Sequence, residues 1–226
     1  MRVTVLSGAG PYADPWHDFP ATSAAAARVL EPLGLDVAVV PLGPETVDTA
    51  VAGSDLVVVN AGGGDPDAPP EAGDAWAPAF QALRTHRASG KPLLGLHTAT
   101  NTLQGLDDWP CWLGGRWVRG RSMHPPLGDA RVEISDPDHA VTAGLAPFTL
   151  LDERYCHLDR SRDVRVLLHH DHEGVPEPLV WVTEQDGARA VYDALGHDVR
   201  SYASPERADL LRREVRWLLD LAPTTS

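Results

Sequence analysis

The chain has 226 residues, of which 43% are apolar and 23% are charged, a composition typical of folded globular proteins. Its 32 acidic and 19 basic residues give a net charge of −13, which argues against binding to phosphate backbones or to an anionic membrane surface. No segment reaches the roughly 18 consecutive apolar residues that a membrane span requires. Nucleic acid and membranes are therefore excluded as expected partners.

Cysteine usage indicates the cellular compartment. The two cysteines, Cys111 and Cys156, are too few for a disulfide framework and do not form a C-x-x-C pair. The N-terminal residues lack the apolar stretch and the cleavage site of a signal peptide. We therefore expect a cytoplasmic protein.

The first half of the sequence alternates strand-like and helix-like segments, the pattern of βαβ units in a mostly parallel sheet. Strands are predicted at residues 3–6, 36–41, 55–60 and 93–96, and helices at residues 21–33, 44–53 and 75–89. The glycine-rich loop at 61–66 follows a strand, where open α/β sheets bind ligands. Residues 109–128 show no periodicity, so an ordered loop is predicted there.

The second half has short strand-like runs that no long helix separates. These runs lie at residues 131–134, 148–151, 164–169, 179–183 and 189–193. Their close spacing requires that some of them pair antiparallel. A final helix is predicted with Ser204 as its N-cap and Pro205 at its first position. We expect one domain over residues 1–221 and a loose tail at 222–226.

The segment Gly95-Leu96-His97-Thr98-Ala99 has the pattern of a sharp strand-to-helix turn. Such an elbow presents its central residue and requires small residues two positions away on either side, which Gly95 and Ala99 supply. The presented residue, His97, cannot form an acyl-enzyme as serine or cysteine does, but it can act as a general acid, a general base or a metal ligand. The alternative interpretation is a histidine that caps the following helix.

Other polar residues follow predicted strands in the second half. His197 comes after a strand and a glycine, where it can project into a cleft, and Asp198 beside it is a candidate orienting partner. The two carboxylates of Asp152 and Glu153 and the phenol of Tyr155 can bind hydroxyls or transfer protons, unless Glu153 and Arg154 form an exposed rim. The polar residues at 169–173 lack the spacing of a helical zinc motif, so a polar turn explains them better.

In their order along the chain, these motifs resemble the ThuA-like family, the trehalose-utilisation family of the class I glutamine amidotransferase-like superfamily. The resemblance extends over nearly the whole chain, and its specificity comes from the ordered set. The matching segments are Trp16-His17-Asp18, Gly95-Leu96-His97, Gly114-Gly115-Arg116-Trp117 followed by His124-Pro125, Asp136-Pro137-Asp138-His139, Asp152-Glu153-Arg154-Tyr155 and Ala194-Leu195-Gly196-His197-Asp198.

The resemblance implies a fold and also a departure from the chemistry of the superfamily. The implied fold is α/β, a flavodoxin-like three-layer sandwich with a mostly parallel central sheet and additional antiparallel strands in the C-terminal half. His97 stands where the amidotransferase relatives have their cysteine nucleophile, and His197 stands near their catalytic histidine. Since neither cysteine lies at the elbow, the chain is not expected to hydrolyse glutamine through a thioester.

The favoured hypothesis is a carbohydrate-active hydrolase, lyase or isomerase that acts on a disaccharide or a keto-sugar. Its predicted catalytic residues are His97, His197, Glu153 and Tyr155. Its predicted substrate-binding residues are His17, Asp18, Asn60, His124 and Asp198. A small-molecule carbohydrate is then the expected partner, and assembly into a homo-oligomer is left open.

Two alternatives accompany this hypothesis. In the first, the site contains a divalent metal such as Zn²⁺, because neutral imidazoles and a carboxylate are ligands that suit this ion. The candidate ligands are His17, His97, His124, Glu153 and His197. In the second, the chain is a non-catalytic sugar-binding or regulatory module that has lost the nucleophile and kept the cleft.

Overall fold

The computed structural model describes residues 1–63 and 74–222, so part of the glycine-rich loop at 61–66 and nearly all of the predicted tail lie outside the described residues. The strands are β1 (Arg2–Ser7), β2 (Asp36–Pro41), β3 (Leu56–Asn60), β4 (Leu93–Leu96), β5 (Gly115–Arg116), β6 (Gly128–Ile134), β7 (Phe148–Asp152), β8 (Asp159–Arg160), β9 (Arg165–His172), β10 (Val175–Gln185) and β11 (Ala188–Asp193). The helices are α1 (Phe19–Leu30), α2 (Val47–Ala52), α3 (Ala77–Ala88), α4 (Trp109–Leu113) and α5 (Pro205–Leu218).

A mixed sheet of nine strands runs through the described chain in the order β2-β1-β3-β4-β11-β10-β9-β6-β7. Strands β2, β1, β3, β4 and β11 pair with one another in parallel. Strands β10, β9, β6 and β7 complete the sheet through antiparallel pairs. The predicted α/β fold, with a parallel first half and antiparallel strands in the second, is confirmed.

The chain connections place helices on both faces of the parallel strands. From β1 the chain moves outward to β2, then crosses back to β3 and continues to β4. Since such crossovers are right-handed, α1 lies on one face while α2 and α3 share the other. In agreement, α2 contacts α3, and α1 contacts α5. The molecule therefore has three layers, with the sheet in the middle.

The reversal of direction at β1 opens a crevice at the carboxyl ends of β1 and β3, where α/β sheets of this kind bind ligands. The loops after β1, β3, β4 and β11 meet at this edge, because these strands are parallel neighbours. The topology thereby brings His17, Asn60, His97 and His197 to one edge of the sheet.

Buried apolar residues explain which segments form the core. All residues of β3 and β4 are buried, as expected for central strands covered on both faces. Helix α5 buries the predicted stripe of Leu211, Val215 and Leu218, and the Ser204 hydroxyl caps it by accepting a hydrogen bond from the Arg207 backbone N–H.

No helix in the described part of the chain is long and apolar enough to cross a membrane.

The polar turn predicted at residues 169–173 is wrong, because β9 continues through most of this segment to His172. The hairpin partner β10 explains the extension, since its backbone pairs with β9 as far as His172. The turn lies instead at Glu173 and Gly174, which both have positive φ. A backbone ladder can thus hold a polar segment in a strand, whatever its side chains favour.

The segment 109–128, predicted to be an ordered loop, contains the short helix α4 and the strand β5. Pro110 occupies the first turn of α4, and Gly114 ends the helix with φ of 75°. A Cβ atom at Gly114 would lie 2.5 Å from side-chain carbons of Thr183 and Val164. Both the positive φ and the lack of space therefore require glycine at this position.

His86 on α3 makes stability depend on pH. Its imidazole is buried, its Nε2 lies 2.9 Å from the Pro92 carbonyl oxygen, and burial lowers its pKa to about 4. As pH falls below 6.5, the unfolded chain binds a proton that the folded His86 does not, so stability is lost. We expect the wild type to lose about 1.4 kcal/mol more than His86→Gln between pH 7.5 and 5.5, measured by urea unfolding. Equal losses would contradict this account.

Candidate functional site

His97 occupies an elbow between β4 and a 3₁₀ turn over His97–Asn101, in a backbone conformation with φ of 47°. The close packing behind the elbow explains Gly95, where a Cβ atom would lie 3.0 Å from the Leu113 methyl groups and 3.1 Å from the Ala99 Cβ. The predicted sharp turn is therefore present, although it leads into a 3₁₀ turn rather than an α-helix. The His97 side chain is 1% exposed, and its Nδ1 donates to the Ala194 carbonyl at 2.7 Å.

His17 reaches the same point from the loop after β1. The Asp14 carboxylate accepts hydrogen bonds from the backbone N–H groups of Trp16 and His17 and lies 2.8 Å from the His17 Nδ1. These bonds fix both the loop and the ring orientation of His17. As a result, the His17 Nε2 lies 3.2 Å from the His97 Nε2.

Glu153, after the antiparallel strand β7, and His197, after the parallel strand β11, complete the cluster. The Glu153 Oε2 lies 3.4 Å from the His97 Nε2 and 3.3 Å from the His197 Nδ1. Glu153 is 7% exposed, so it does not lie on an exposed rim. One ligand atom from each of His17, His97, Glu153 and His197 lies within 4.8 Å of the other three. We call these four residues the histidine–glutamate cluster.

Asp152, at the end of β7, holds Glu153 and His197 together. Its fully buried carboxylate accepts hydrogen bonds from the backbone N–H groups of Glu153 at 2.9 Å, Gly196 at 2.8 Å and His197 at 3.1 Å. The Ser201 hydroxyl donates to the same carboxylate at 2.6 Å. One buried carboxylate thereby ties the loop after β7 to the loop after β11.

Tyr155 and His124 border the cluster. The Tyr155 hydroxyl lies 3.1 Å from the His97 Nε2, and the His124 Nδ1 lies 3.4 Å from the Glu153 Oε1. Trp117 packs edge-to-face on Tyr155 with the ring centroids 4.9 Å apart. The rings of Tyr155, His124 and Trp117 therefore form an aromatic wall that contacts the histidine–glutamate cluster.

The environment sets different charges on neighbouring groups. Burial would raise the pKa of Glu153, but contacts with His197 and His97 outweigh burial and hold this pKa well below its usual range. The same contact with Glu153 raises the pKa of His197, whereas burial lowers the pKa of His17. Burial also raises the pKa of Tyr155 well above its usual value. The site therefore combines a carboxylate with a phenol that keeps its proton.

Three predicted substrate-binding residues lie near the site but outside the cluster. Asp18 is the N-cap of α1 and accepts from the backbone of Ala21. Asn60 is buried and donates to the hydroxyls of Thr22 and Ser23. Asp198, the candidate orienting partner of His197, forms an ion pair with Arg200.

Sequence reasoning missed Asp14 and did not assign a positioning role to Asp152. Both residues position the cluster without belonging to it. Asp14 lies three residues before His17, a spacing at which a side chain can cap a turn. Asp152 adjoins Glu153, but strand alternation sends neighbouring side chains to opposite faces and gives no hint of its partners. The first residue had a detectable local signal and the second had none.

Neither cysteine belongs to the site. Cys111 is exposed on α4, and Cys156 is buried, where burial raises the pKa of its thiol to about 12. A thiol that keeps its proton at neutral pH is a poor nucleophile. The position that a nucleophile occupies in an elbow holds His97.

The fold and this elbow define a class of protein, the three-layer α/β sandwiches with a sharp elbow after a central parallel strand. Among solved structures, a ThuA-like protein from Parabacteroides merdae matches with a TM-score of 0.79 and 18% identity, over 100% of this chain and 92% of that one. A ThuA-like protein from Bacteroides uniformis matches with a TM-score of 0.73 and 16% identity, over 96% and 90%. A GMP synthase component from Thermoplasma acidophilum matches with a TM-score of 0.60 and 15% identity, over 97% and 94%.

Within this class, the sequence identifies the family. Residues 2–218 match the ThuA family, whose description is trehalose utilisation, and the chain belongs to that family. No curated protein matches the sequence. The resemblance that the ordered motifs indicated is confirmed.

Proposed function

We propose that this protein is an enzyme of carbohydrate metabolism that acts on a neutral disaccharide or keto-sugar without a cysteine nucleophile. The observation that carries the proposal is the convergence of His97, Glu153, His197 and Tyr155 at the ligand-binding edge of the sheet. These groups come from three separate parts of the sequence. Packing alone would not require so many titratable side chains to meet.

The groups suit proton transfer to and from a sugar. The His197 imidazole, whose pKa the Glu153 carboxylate raises, can accept a proton from a hydroxyl or from a carbon beside a carbonyl, and the negative charge of Glu153 stabilises the imidazolium that forms. Tyr155 keeps its proton, because burial raises its pKa, and can donate a hydrogen bond to the oxygen on which charge develops. Hydrolysis, elimination and isomerisation of sugars all use such a pair of groups.

The rim of the site suits a neutral ring with an apolar face. Trp16, directly before His17, is 74% exposed, while its backbone is fixed by Asp14. Aromatic side chains stack on the apolar faces of sugar rings. Arg200, which could attract an anion, is already paired with Asp198. These features favour a neutral sugar over a phosphorylated or acidic one.

The test measures turnover of trehalose, maltose, methyl α-glucoside and fructose by NMR, with the wild type, His97→Ala and His157→Ala. We expect the wild type to convert at least one sugar, and His97→Ala to be slower by roughly 10²–10⁴-fold. His157 is the control, because it is half exposed and pairs with Glu177 outside the cluster. Full activity of His97→Ala would refute the assignment. Sugar binding without any conversion would favour the non-catalytic sugar-binding module instead.

A further inference from the structure

The histidine–glutamate cluster can work in two ways, either as a set of proton carriers or as ligands of an ion. We propose that His17, His97, Glu153 and His197 bind one divalent transition-metal ion of the zinc type. The proposal deepens the proposed function by assigning a cofactor to the same site, and only its bearing on sugar chemistry rests on that function. Metal binding itself is testable without a substrate.

Three of the distances between the four residues match those between ligands of one ion. Ligand atoms that lie roughly 2.0–2.1 Å from a tetrahedral ion are about 3.3 Å from one another. The contacts from His17 Nε2 to His97 Nε2, from His97 Nε2 to Glu153 Oε2 and from Glu153 Oε2 to His197 Nδ1 are 3.2, 3.4 and 3.3 Å. No pair of ligand atoms in the cluster is more than 4.8 Å apart.

The hydrogen bonds behind two of the histidines leave their Nε2 atoms free to bind an ion. The His97 Nδ1 faces the Ala194 carbonyl, which only accepts, so this nitrogen carries the hydrogen. The His17 Nδ1 faces the Asp14 carboxylate, so it also carries its hydrogen. Each neutral ring then has a lone pair on Nε2. Metal-binding histidines are typically held in this way by a carboxylate or a backbone carbonyl.

Two lone pairs that face each other at 3.2 Å repel, unless something positive lies beside them. The Tyr155 hydroxyl can donate to His97 Nε2, but it leaves His17 Nε2 without a hydrogen. The Glu153 Oε2 and the His197 Nδ1 lie 3.3 Å from each other, but among the described residues neither buried atom has a hydrogen bond of good geometry. Unsatisfied buried polar atoms are costly, and one ion would satisfy all of these atoms together.

The donor set indicates which ion fits. Three imidazoles and one carboxylate suit Zn²⁺ and neighbouring transition metals, whereas Mg²⁺ and Ca²⁺ prefer sites built mainly of oxygen. With the ion bound, His17, His97, Glu153 and His197 would be ligands rather than proton carriers. An ion of this type would polarise a sugar oxygen, and Tyr155, which is not among its ligands, would remain a hydrogen-bond donor.

The experiment uses the full chain without an affinity tag, stripped with a chelator and then titrated with Zn²⁺, Co²⁺, Ni²⁺ and Mn²⁺. Elemental analysis after gel filtration gives the metal content, and the visible spectrum of the Co²⁺ form reports on nitrogen coordination. We expect about one ion per chain for the wild type and for the control His157→Ala. His97→Ala and Glu153→Gln are expected to lose most of this ion.

A variant of a residue that contacts the cluster but is not a ligand distinguishes loss of metal affinity from misfolding. Asp14→Asn keeps the shape of the side chain but weakens the bond to the His17 Nδ1, so we expect metal affinity to fall by about 10–100-fold, with an unchanged circular dichroism spectrum. Substoichiometric metal in the wild type with all four ions would overturn the proposal. Equal metal loss in His157→Ala and His97→Ala would overturn it as well. Stoichiometric metal without sugar conversion would support the metal site and would refute only the proposed function.

Discussion

Replacing Arg207 by methionine is expected to lower the free energy of unfolding by roughly 3–5 kcal/mol. Arg207 on α5 is fully buried, and its Nη1 lies 2.9 Å from the Oδ2 of Asp193, which is also fully buried. Glu214, about two turns further along α5, is buried as well. Burial raises the pKa of both carboxyl groups, and the guanidinium is their counter-charge. Methionine fills similar space but leaves the negative charge of the buried Asp193 carboxylate without its partner.

Denaturant unfolding at neutral pH measures the change, and Arg212→Met is the matched control. Arg212 lies on the same helix but is partly exposed, and its ion pair with Asp209 is long, at 3.9 Å. Such a surface pair contributes between nothing and about 1 kcal/mol. A loss in Arg207→Met no larger than that in Arg212→Met would show that the buried carboxyls do not need the arginine.

Replacing Asp152 by alanine is expected to cost roughly 3 kcal/mol of stability and also to disrupt the candidate site. The substitution leaves the backbone N–H groups of Glu153, Gly196 and His197 and the hydroxyl of Ser201 without their acceptor. Since these bonds join the loops after β7 and β11, the separation of Glu153 and His197 is no longer fixed. Metal content and sugar turnover should therefore fall even under conditions where the variant remains folded.

Asp129→Ala is the control for this experiment, because Asp129 lies exposed on β6, the partner of β7. We expect less than about 0.5 kcal/mol of change there, with metal content intact. Urea unfolding and elemental analysis on the same preparations separate the two effects. A destabilised Asp152→Ala that retains full metal content would mean that Asp152 supports the fold without positioning the cluster.

The parallel half of the fold could be predicted from local patterns. Continuous apolar runs identified β3 and β4, and Ser204 with Pro205 identified the start of α5. The hairpin of β9 and β10 could not be delimited in the same way. Its polar end is held by backbone pairing with a partner strand, which side-chain periodicity does not reveal.

The candidate site was predictable in its members but not in their grouping. Loops after parallel strands meet by topology, so His97 and His197 could be expected near each other. Glu153 follows β7, at the far edge of the sheet, and nothing in its neighbourhood in the sequence places it beside His97. His17 reaches the cluster because Asp14 orients its ring, a contact that depends on loop conformation rather than on pattern.

The bonds of Asp152 also describe the shape of the antiparallel half. In the sheet, β7 lies four strands away from β11, a distance of about 19 Å if the sheet were flat. Yet the Asp152 carboxylate at the end of β7 lies 2.8 Å from the Gly196 backbone after β11. The strands between them therefore curl like the wall of a partly closed barrel, and β10 has register shifts at Val180 that favour such bending. Asp152 closes this curl at one end, so substitutions that alter sheet curvature far from the crevice should change the spacing of the histidine–glutamate cluster.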